Sequence, residues 1–211
     1  APAIDYKAIA HKANIATRQA SAAVLVTLAQ EVENMIVSSA DLSNSDKTDG
    51  FIKGGARNLV KGDFSGKFLQ AGVAELTMAA ICNGIALHGG IHVTCATFFV
   101  FSDYMKPAFR LSALMQMPVK YIWTHDAFRV GEDGPTHQPI EHEAQLRLLE
   151  KMQNHAGKMS MLALRPADAA ETSVAWKMAM ENTETPTALV LSRQNINDLP
   201  AATDRYTEAL K

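Results

Sequence analysis

The stretch GEDGPTHQP, Gly131 to Pro139, places Glu132, Asp133 and His137 among two glycines and two prolines. A tight turn uses the glycines and prolines but has no need of an acid pair and an imidazole beside them. Ionisable groups held this stiffly can orient a substrate by hydrogen bonds or exchange protons with it. The apolar run just before the loop, VKYIWTHD, ends in His125 and Asp126. Elsewhere Arg18, Asp41, Ser45, Glu75, Tyr104, Arg165 and Arg193 each stand at the edge of an apolar segment. Phe98, Phe101 and Tyr104 recur every third residue, which suits either a core or a shelf on which a flat heterocycle stacks. His137 and His142 flank HQPIEH, but HExxH is absent and no third ligand is suitably spaced, so no metal site is expected. Hydrogen bonding to a polyhydroxy substrate is the better functional reading of that segment. Arg165, before Pro166, reads as a structural residue at a strand-to-helix corner.

Such residues need a frame to bring them together. RQASAAVLVTLAQE predicts a helix from about Thr17 to Glu31, and NMIVSSAD a buried strand ending at Asp41. The polar stretch from Leu42 to Lys67 reads as a long irregular excursion, of the kind that is usually functional or disordered. FLQAGV is a second strand, and Glu75 opens a helix with Met78, Ile81, Cys82 and Ile85 on one face. HVTCATFFVF, VKYIWTH, MSMLALR and TALVLSR supply four more strands. Between them fall helices over Asp103–Met117, over Ile140–Gln153 and after Asp168, whose spacing to Glu171 is that of a capping box. Apolar strands alternating with helices predict an α/β fold of three layers, α/β/α, with a mostly parallel sheet of about six strands. In such a sheet ligands bind beyond the carboxyl ends of the strands, where the candidate residues cluster.

Composition narrows the class. The chain has 211 residues, 47% of them hydrophobic, and a formal charge of -2, as expected for one soluble globular domain. There is no basic excess to suggest nucleic acid, and no apolar run of membrane-spanning length. Cys82 and Cys95 lie inside apolar segments without metal-ligand spacing and fit a reducing, cytoplasmic setting. No GxGxxG follows a strand, and neither GxxxxGK[ST] nor GxSxG occurs. Dinucleotide binding, a phosphate-cradling loop for ATP and a serine-hydrolase elbow are therefore not supported.

Taken in order, IATRQAS, SSADLSNS, GVAELTMAAICNGIALHGG, TFFVFSDY, VGEDGPTHQPIEH, LRPADAAE and ALVLSRQN resemble the central, pyrimidine-binding domain of transketolase. The resemblance implies a single domain over 1–211, with a preceding diphosphate-binding domain and a following C-terminal domain absent. It implies thiamine diphosphate as cofactor, with magnesium and diphosphate held by the other domain. Glu75 would hydrogen-bond the aminopyrimidine ring and favour its imino form, and Phe98, Phe101 and Tyr104 would hold the ring. Asp41 would lie near the thiazolium side. Asp133 and His137 would bind sugar hydroxyls near the reacting carbons, His137 also being counted with Glu75 as catalytic. Arg18, Ser45, His125 and Arg193 would bind the sugar's phosphate end.

The implied reaction moves a two-carbon ketol group from a ketose phosphate to an aldose phosphate, as in the pentose phosphate pathway. The implied partners are a diphosphate-binding domain, a second subunit and sugar phosphates, and the isolated chain is expected to be inactive. A deoxyxylulose-phosphate synthase shares DGPTHQ, but the arginine in SRQN and the SDY pattern point away from it. A non-catalytic assembly or regulatory module is a third reading, disfavoured by the presence of Glu75, Asp133 and His137. Departures from the family pattern fall at Ala74, where arginine is common, and at Cys95 and Ala96, just ahead of TFF.

Overall fold

The computed structural model describes residues 3–211. The chain begins its regular structure with α1 (Thr17–Glu31), β1 (Met35–Ser39), α2 (Ser43–Asp46), α3 (Asp49–Lys53) and β2 (Phe68–Gln70). It continues with α4 (Glu75–His88), β3 (His92–Phe98), α5 (Ser102–Leu114), β4 (Lys120–Thr124) and α6 (His142–Lys151). β5 (Leu162–Leu164), α7 (Ala169–Glu181), β6 (Thr187–Leu191) and α8 (Arg205–Ala209) complete it. All pairings are parallel, in one six-stranded sheet of order β2-β1-β3-β4-β6-β5.

The apolar strands are apolar because both faces of the sheet are covered. Alternation along each strand divides the side chains between two cores. Ile122 of β4 and Leu189 and Leu191 of β6 join Val24, Leu28, Phe51 and Trp176 beneath α1, α3 and α7. Tyr121 and Trp123 pack with Met78, Cys82, Met105 and Phe109 beneath α4 and α5. Gly50 permits the close approach of α3 to α1, since a Cβ there would lie 2.5 Å from the Ala22 carbonyl oxygen.

Four expectations need correction. The excursion from Leu42 to Lys67 is not irregular throughout: it folds into α2 and α3, held around a buried Asp46. That carboxylate accepts from the Ser39 hydroxyl at 2.6 Å, the Thr48 hydroxyl at 2.6 Å and the Thr48 amide at 2.9 Å. Local side chain-to-backbone bonds of this kind organise a polar stretch that hydrophobic periodicity cannot reveal. In α4 the buried face runs through Glu75, Met78, Ala79, Cys82 and Asn83, leaving Ile81 42% exposed. The third strand stops at Phe98, and Phe99–Phe101 form a 3-10 turn that leads into α5. Finally, α5 stops at Leu114 rather than Met117, and α6 runs from His142 to Lys151 rather than from Ile140 to Gln153, because Met115–Pro118, Ile140–Glu141 and Met152–Gln153 leave the helical path.

Candidate functional site

β1 connects outward to β2, whereas β3 lies on the other side of β1, so the direction of winding changes between β1 and β3. A crevice opens at the carboxyl ends of the strands at such a point. Three elements meet there. β1 delivers Asp41, exposed and in the left-handed region at φ 61°. β3 delivers Thr97 and Phe98, and β2 leads through Gly72 and Ala74 to Glu75 at the first turn of α4. Glu75 is buried, and its carboxylate accepts from the Thr97 hydroxyl at 3.4 Å.

The aromatic residues extend outward from this point as a tier. Phe98 and Phe101 stack at 5.8 Å between ring centroids, and Phe101 meets Tyr104 at 6.1 Å. Phe98 is buried and Tyr104 is 63% exposed, so the tier runs from core to surface. On its other flank, His125 stacks on Phe98 at 3.6 Å, and His137 meets Phe101 edge-on at 5.3 Å. Gly134, at φ 79°, allows the GEDG turn to reverse before Pro135 and bring His137 back over the rings. The spacing of Phe98, Phe101 and Tyr104 therefore marks a shelf that joins core to cleft.

Beyond the shelf lies a cluster of cationic groups. The Arg18 guanidinium donates to the Ser45 carbonyl at 2.6 Å, and its Nε is buried without a partner among the described residues. Burial and the neighbouring Arg193 both lower the Arg18 pKa. Arg193 pairs with Glu132 and lies 3.2 Å from an Asp133 carboxylate oxygen. His125, again left-handed at φ 61°, is held through Nδ1 by the Thr124 hydroxyl at 2.9 Å. Burial first, then Arg18, Arg193 and His137, lower its pKa to about 3. The ring is consequently neutral at physiological pH and can offer a hydrogen bond without adding charge. Two arginines, a neutral histidine and the Ser45 turn form a pocket suited to an anion, with Glu132 and Asp133 facing one of its cations.

All the candidates named from the sequence thus sit at the carboxyl edge of the sheet, but they fall into two groups. Glu75 belongs with the aromatic shelf, whereas Arg18, Ser45, His125, Asp133 and Arg193 belong with the anion pocket, and His137 lies between them. Ser45 contributes its carbonyl to Arg18. His142 does not face the cleft: its Nε2 donates to the Val100 carbonyl at 3.1 Å and lies 3.1 Å from Asp103. With Glu141, these groups bring ligand-type atoms within 4.8 Å of one another. The bond to Val100 ties the end of the glycine-rich loop to the turn carrying Phe101. Arg165 is structural, as read: it pairs with Asp126 at 3.2 Å and Glu143 at 2.6 Å, bracing the loop after β4. Sequence reading missed Thr97 and Asp46, and it singled out Glu132 without giving it a role.

Residues 13–198 match the family described as transketolase, pyrimidine binding domain. A transketolase of Halalkalibacterium halodurans is 50% identical over 91% of this chain and 27% of its own length. One from Geobacillus stearothermophilus is 47% identical over 94% of this chain and 28% of its own. Among solved structures, Pichia stipitis transketolase in complex with sedoheptulose 7-phosphate is 39% identical, with a TM-score of 0.85 over all of this chain and 30% of that one. An inactive β4 tetramer of a split-gene transketolase is 31% identical, with a TM-score of 0.66 over 91% of this chain and 55% of that one. The chain thus spans little more than a quarter of the curated relatives it matches. A parallel sheet in this strand order, a carboxylate against an aromatic shelf and a family match across the whole sheet lead to one conclusion: the chain belongs to the transketolase pyrimidine-binding domain family.

Proposed function

We propose that this chain forms the pyrimidine-side wall of a thiamine diphosphate site in an enzyme that transfers a two-carbon ketol group between sugar phosphates. The observation that carries the reading is the continuity of Glu75, the aromatic tier and the two-arginine pocket along one edge of the sheet. The residues fit the cofactor's aminopyrimidine. Phe98, Phe101 and Tyr104 present a graded apolar surface for a flat ring, and Glu75 supplies a buried carboxylate within reach of the strand end. Glu75, Phe98, Phe101 and Tyr104 would hold the aminopyrimidine end of the cofactor, which would supply carbanion chemistry toward the ketose carbonyl.

The chain's own residues have separate tasks. Glu75 holds or shares a proton at the pyrimidine nitrogen, steadied by the Thr97 hydroxyl. The shelf excludes water from one face of the ring. His137 and Asp133 orient sugar hydroxyls at the mouth of the crevice, and Asp41 faces the thiazolium side. Arg18, Arg193, neutral His125 and the Ser45 turn receive the phosphate, so the reacting carbons are placed by an anchor several bonds away. Magnesium and diphosphate belong to a separate diphosphate-binding domain, and a C-terminal domain completes the enzyme. We place the activity in the cytoplasm, in the pentose phosphate pathway, and in a dimer. The partner surface is an apolar band on α4 and α5, where Leu76, Ile81, Leu87, Leu111 and Leu114 are all at least 42% exposed. Among the described residues no helix is long and apolar enough to cross a membrane.

The test is Arg193→Ala in an enzyme assembled with this domain. KM for phosphorylated ketoses should rise at least about tenfold, while turnover of hydroxypyruvate, which has no phosphate, is preserved. Equal loss for both substrates would remove the phosphate assignment.

A further inference from the structure

The loop that follows β4 departs from ordinary backbone at alternate residues. His125, Ala127 and Arg129 take left-handed φ values of 61°, 77° and 54°, a region that suits glycine and disfavours a side chain. Strain of this kind persists where the surrounding structure holds it, often at ligand sites. His125 has its place in the anion pocket, and Ala127 is small. Arg129 instead carries a long cationic side chain where glycine would sit without steric cost. It is exposed, and it pairs with neither Glu132 nor Asp133 just downstream, both of which turn to Arg193. Its guanidinium rests over the Phe128 ring, 5.0 Å from the centroid, and Phe128 is itself 40% exposed. A cation–π contact at an exposed site is weak, so the side chain leaves this resting place readily.

Gln194 marks what lies within reach. Its Nε2 donates to the Arg129 carbonyl at 2.9 Å and lies 3.4 Å from both Glu132 carboxylate oxygens. One amide nitrogen thus joins the Arg129 main chain to the Glu132 carboxylate, which brings that carboxylate within the span of the Arg129 side chain. Glu132 pairs with the terminal Nη1 of Arg193, whereas Asp133 faces the inner Nε at 3.2 Å. The Glu132 side chain is also the more exposed of the two, at 55% against 24%. Glu132 is therefore the acid that can leave, and Nη1 is the donor that its leaving frees.

We infer, on the reading of that pocket as a phosphate site, that Arg129 is a positioning residue for it: Arg129 receives the Glu132 carboxylate when an anion takes Arg193. The exchange is one of counter-ions. In the structure Arg129 lies on Phe128 and Glu132 on Arg193. With phosphate bound, Nη1 of Arg193 turns to the anion and Glu132 moves to Arg129. Without Arg129 the displaced carboxylate would face the phosphate unpaired and repel it at close range. A substrate lacking phosphate leaves Glu132 where it is and gains nothing, so Arg129 sharpens the preference for phosphorylated sugars.

A double-mutant cycle on the binding of inorganic phosphate to the 211-residue chain, read by isothermal titration, tests this. Arg129→Met keeps most of the bulk and removes the charge, and it should weaken phosphate about three- to fivefold, the scale of one exposed ion pair. In a Glu132→Gln chain, which has no carboxylate to rehouse, the same change should weaken it by less than about 1.5-fold. Arg129→Lys should retain most of the original affinity. Equal weakening in both backgrounds would overturn the inference, because it would place Arg129 on the anion itself. Arg193→Ala separates the exchange from the pocket. If it abolishes phosphate binding while Arg129→Met leaves binding unchanged, the pocket stands and the exchange falls; if it too leaves binding unchanged, both fall.

Discussion

Glu132 and Arg193 form the ion pair with the clearest consequence for binding. Glu132 and Asp133 pair with the Arg193 guanidinium that the proposed phosphate would use. An incoming phosphate must displace a carboxylate, so Glu132→Gln should tighten the binding of inorganic phosphate severalfold and, by leaving the site more positive, steepen its dependence on salt. Isothermal titration at two ionic strengths checks this; weaker binding by the variant would show that Glu132 assists the anion. His125 makes a separate prediction. Its folded pKa, about 3, lies below its unfolded value, so the unfolded chain binds more protons between those limits. His125 should therefore reduce stability as pH falls from about 6.5 toward 3 and should show no NMR titration between pH 5 and 8. A midpoint near 6.5 would contradict the electrostatics described for the pocket. At this scale the sequence was readable where residue type limits chemistry: Glu75, Phe98, His125, Asp133 and Arg193 all stand at the sheet edge. Thr97 and Asp46 were not readable, because a threonine in a strand and an aspartate in a polar stretch look the same whether or not they hold a neighbour.

Elements carry the site only as firmly as their ends are tied. Asp168 is fully buried, caps α7 by accepting from the Glu171 amide at 2.8 Å, and receives Arg205 of α8 at 2.5 Å and the Leu199 amide at 3.1 Å. Asp168→Ala removes the cap and strands a partly buried arginine, and it should cost about 3–5 kcal/mol in urea denaturation. A loss under 1 kcal/mol would show that α8 is not anchored there. Lys120 opens β4 and is the opposite case. Its amine is buried, donates among the described residues only to the Pro118 carbonyl at 2.9 Å, and has its pKa lowered to about 8 by burial. The unfolded chain binds more protons between about 8 and 10.5, so stability should rise with pH across that window. Below pH 8 the buried charge costs about 3 kcal/mol, and Lys120→Met should recover most of it and remove the alkaline rise. Thermal melts of both proteins at pH 7 and 10 decide the point.

Helical and strand periods made α1 legible to the residue, and the order of strands and helices followed from the same alternation. The 42–67 segment was misread because its folding is driven by Asp46, Gly50 and turn-forming polar groups, which carry no period. Ile81 was misplaced because α4 turns Asn83, not Ile81, toward the α5 backbone, where it donates to the Ala108 carbonyl at 2.9 Å.

On the scale of the molecule, the proposed function makes the crevice half of a site. One wall holds a carboxylate, an aromatic shelf and an anion pocket, and α4 and α5 carry an exposed apolar band. Stacking and one carboxylate hydrogen bond contribute only a few kcal/mol, about what association itself costs. The chain alone should therefore bind thiamine diphosphate weakly and turn nothing over, whereas a diphosphate-binding domain supplied in trans should complete the site. The direct measurement is hydrogen–deuterium exchange at the cofactor's reactive carbon, read by NMR with the chain alone, with the added domain, and with the Glu75→Gln chain plus that domain. The account predicts exchange at the solution rate for the chain alone, strong acceleration on complementation, and loss of that acceleration in Glu75→Gln with cofactor affinity nearly unchanged. Acceleration by the chain alone, or full acceleration with Glu75→Gln, would contradict it.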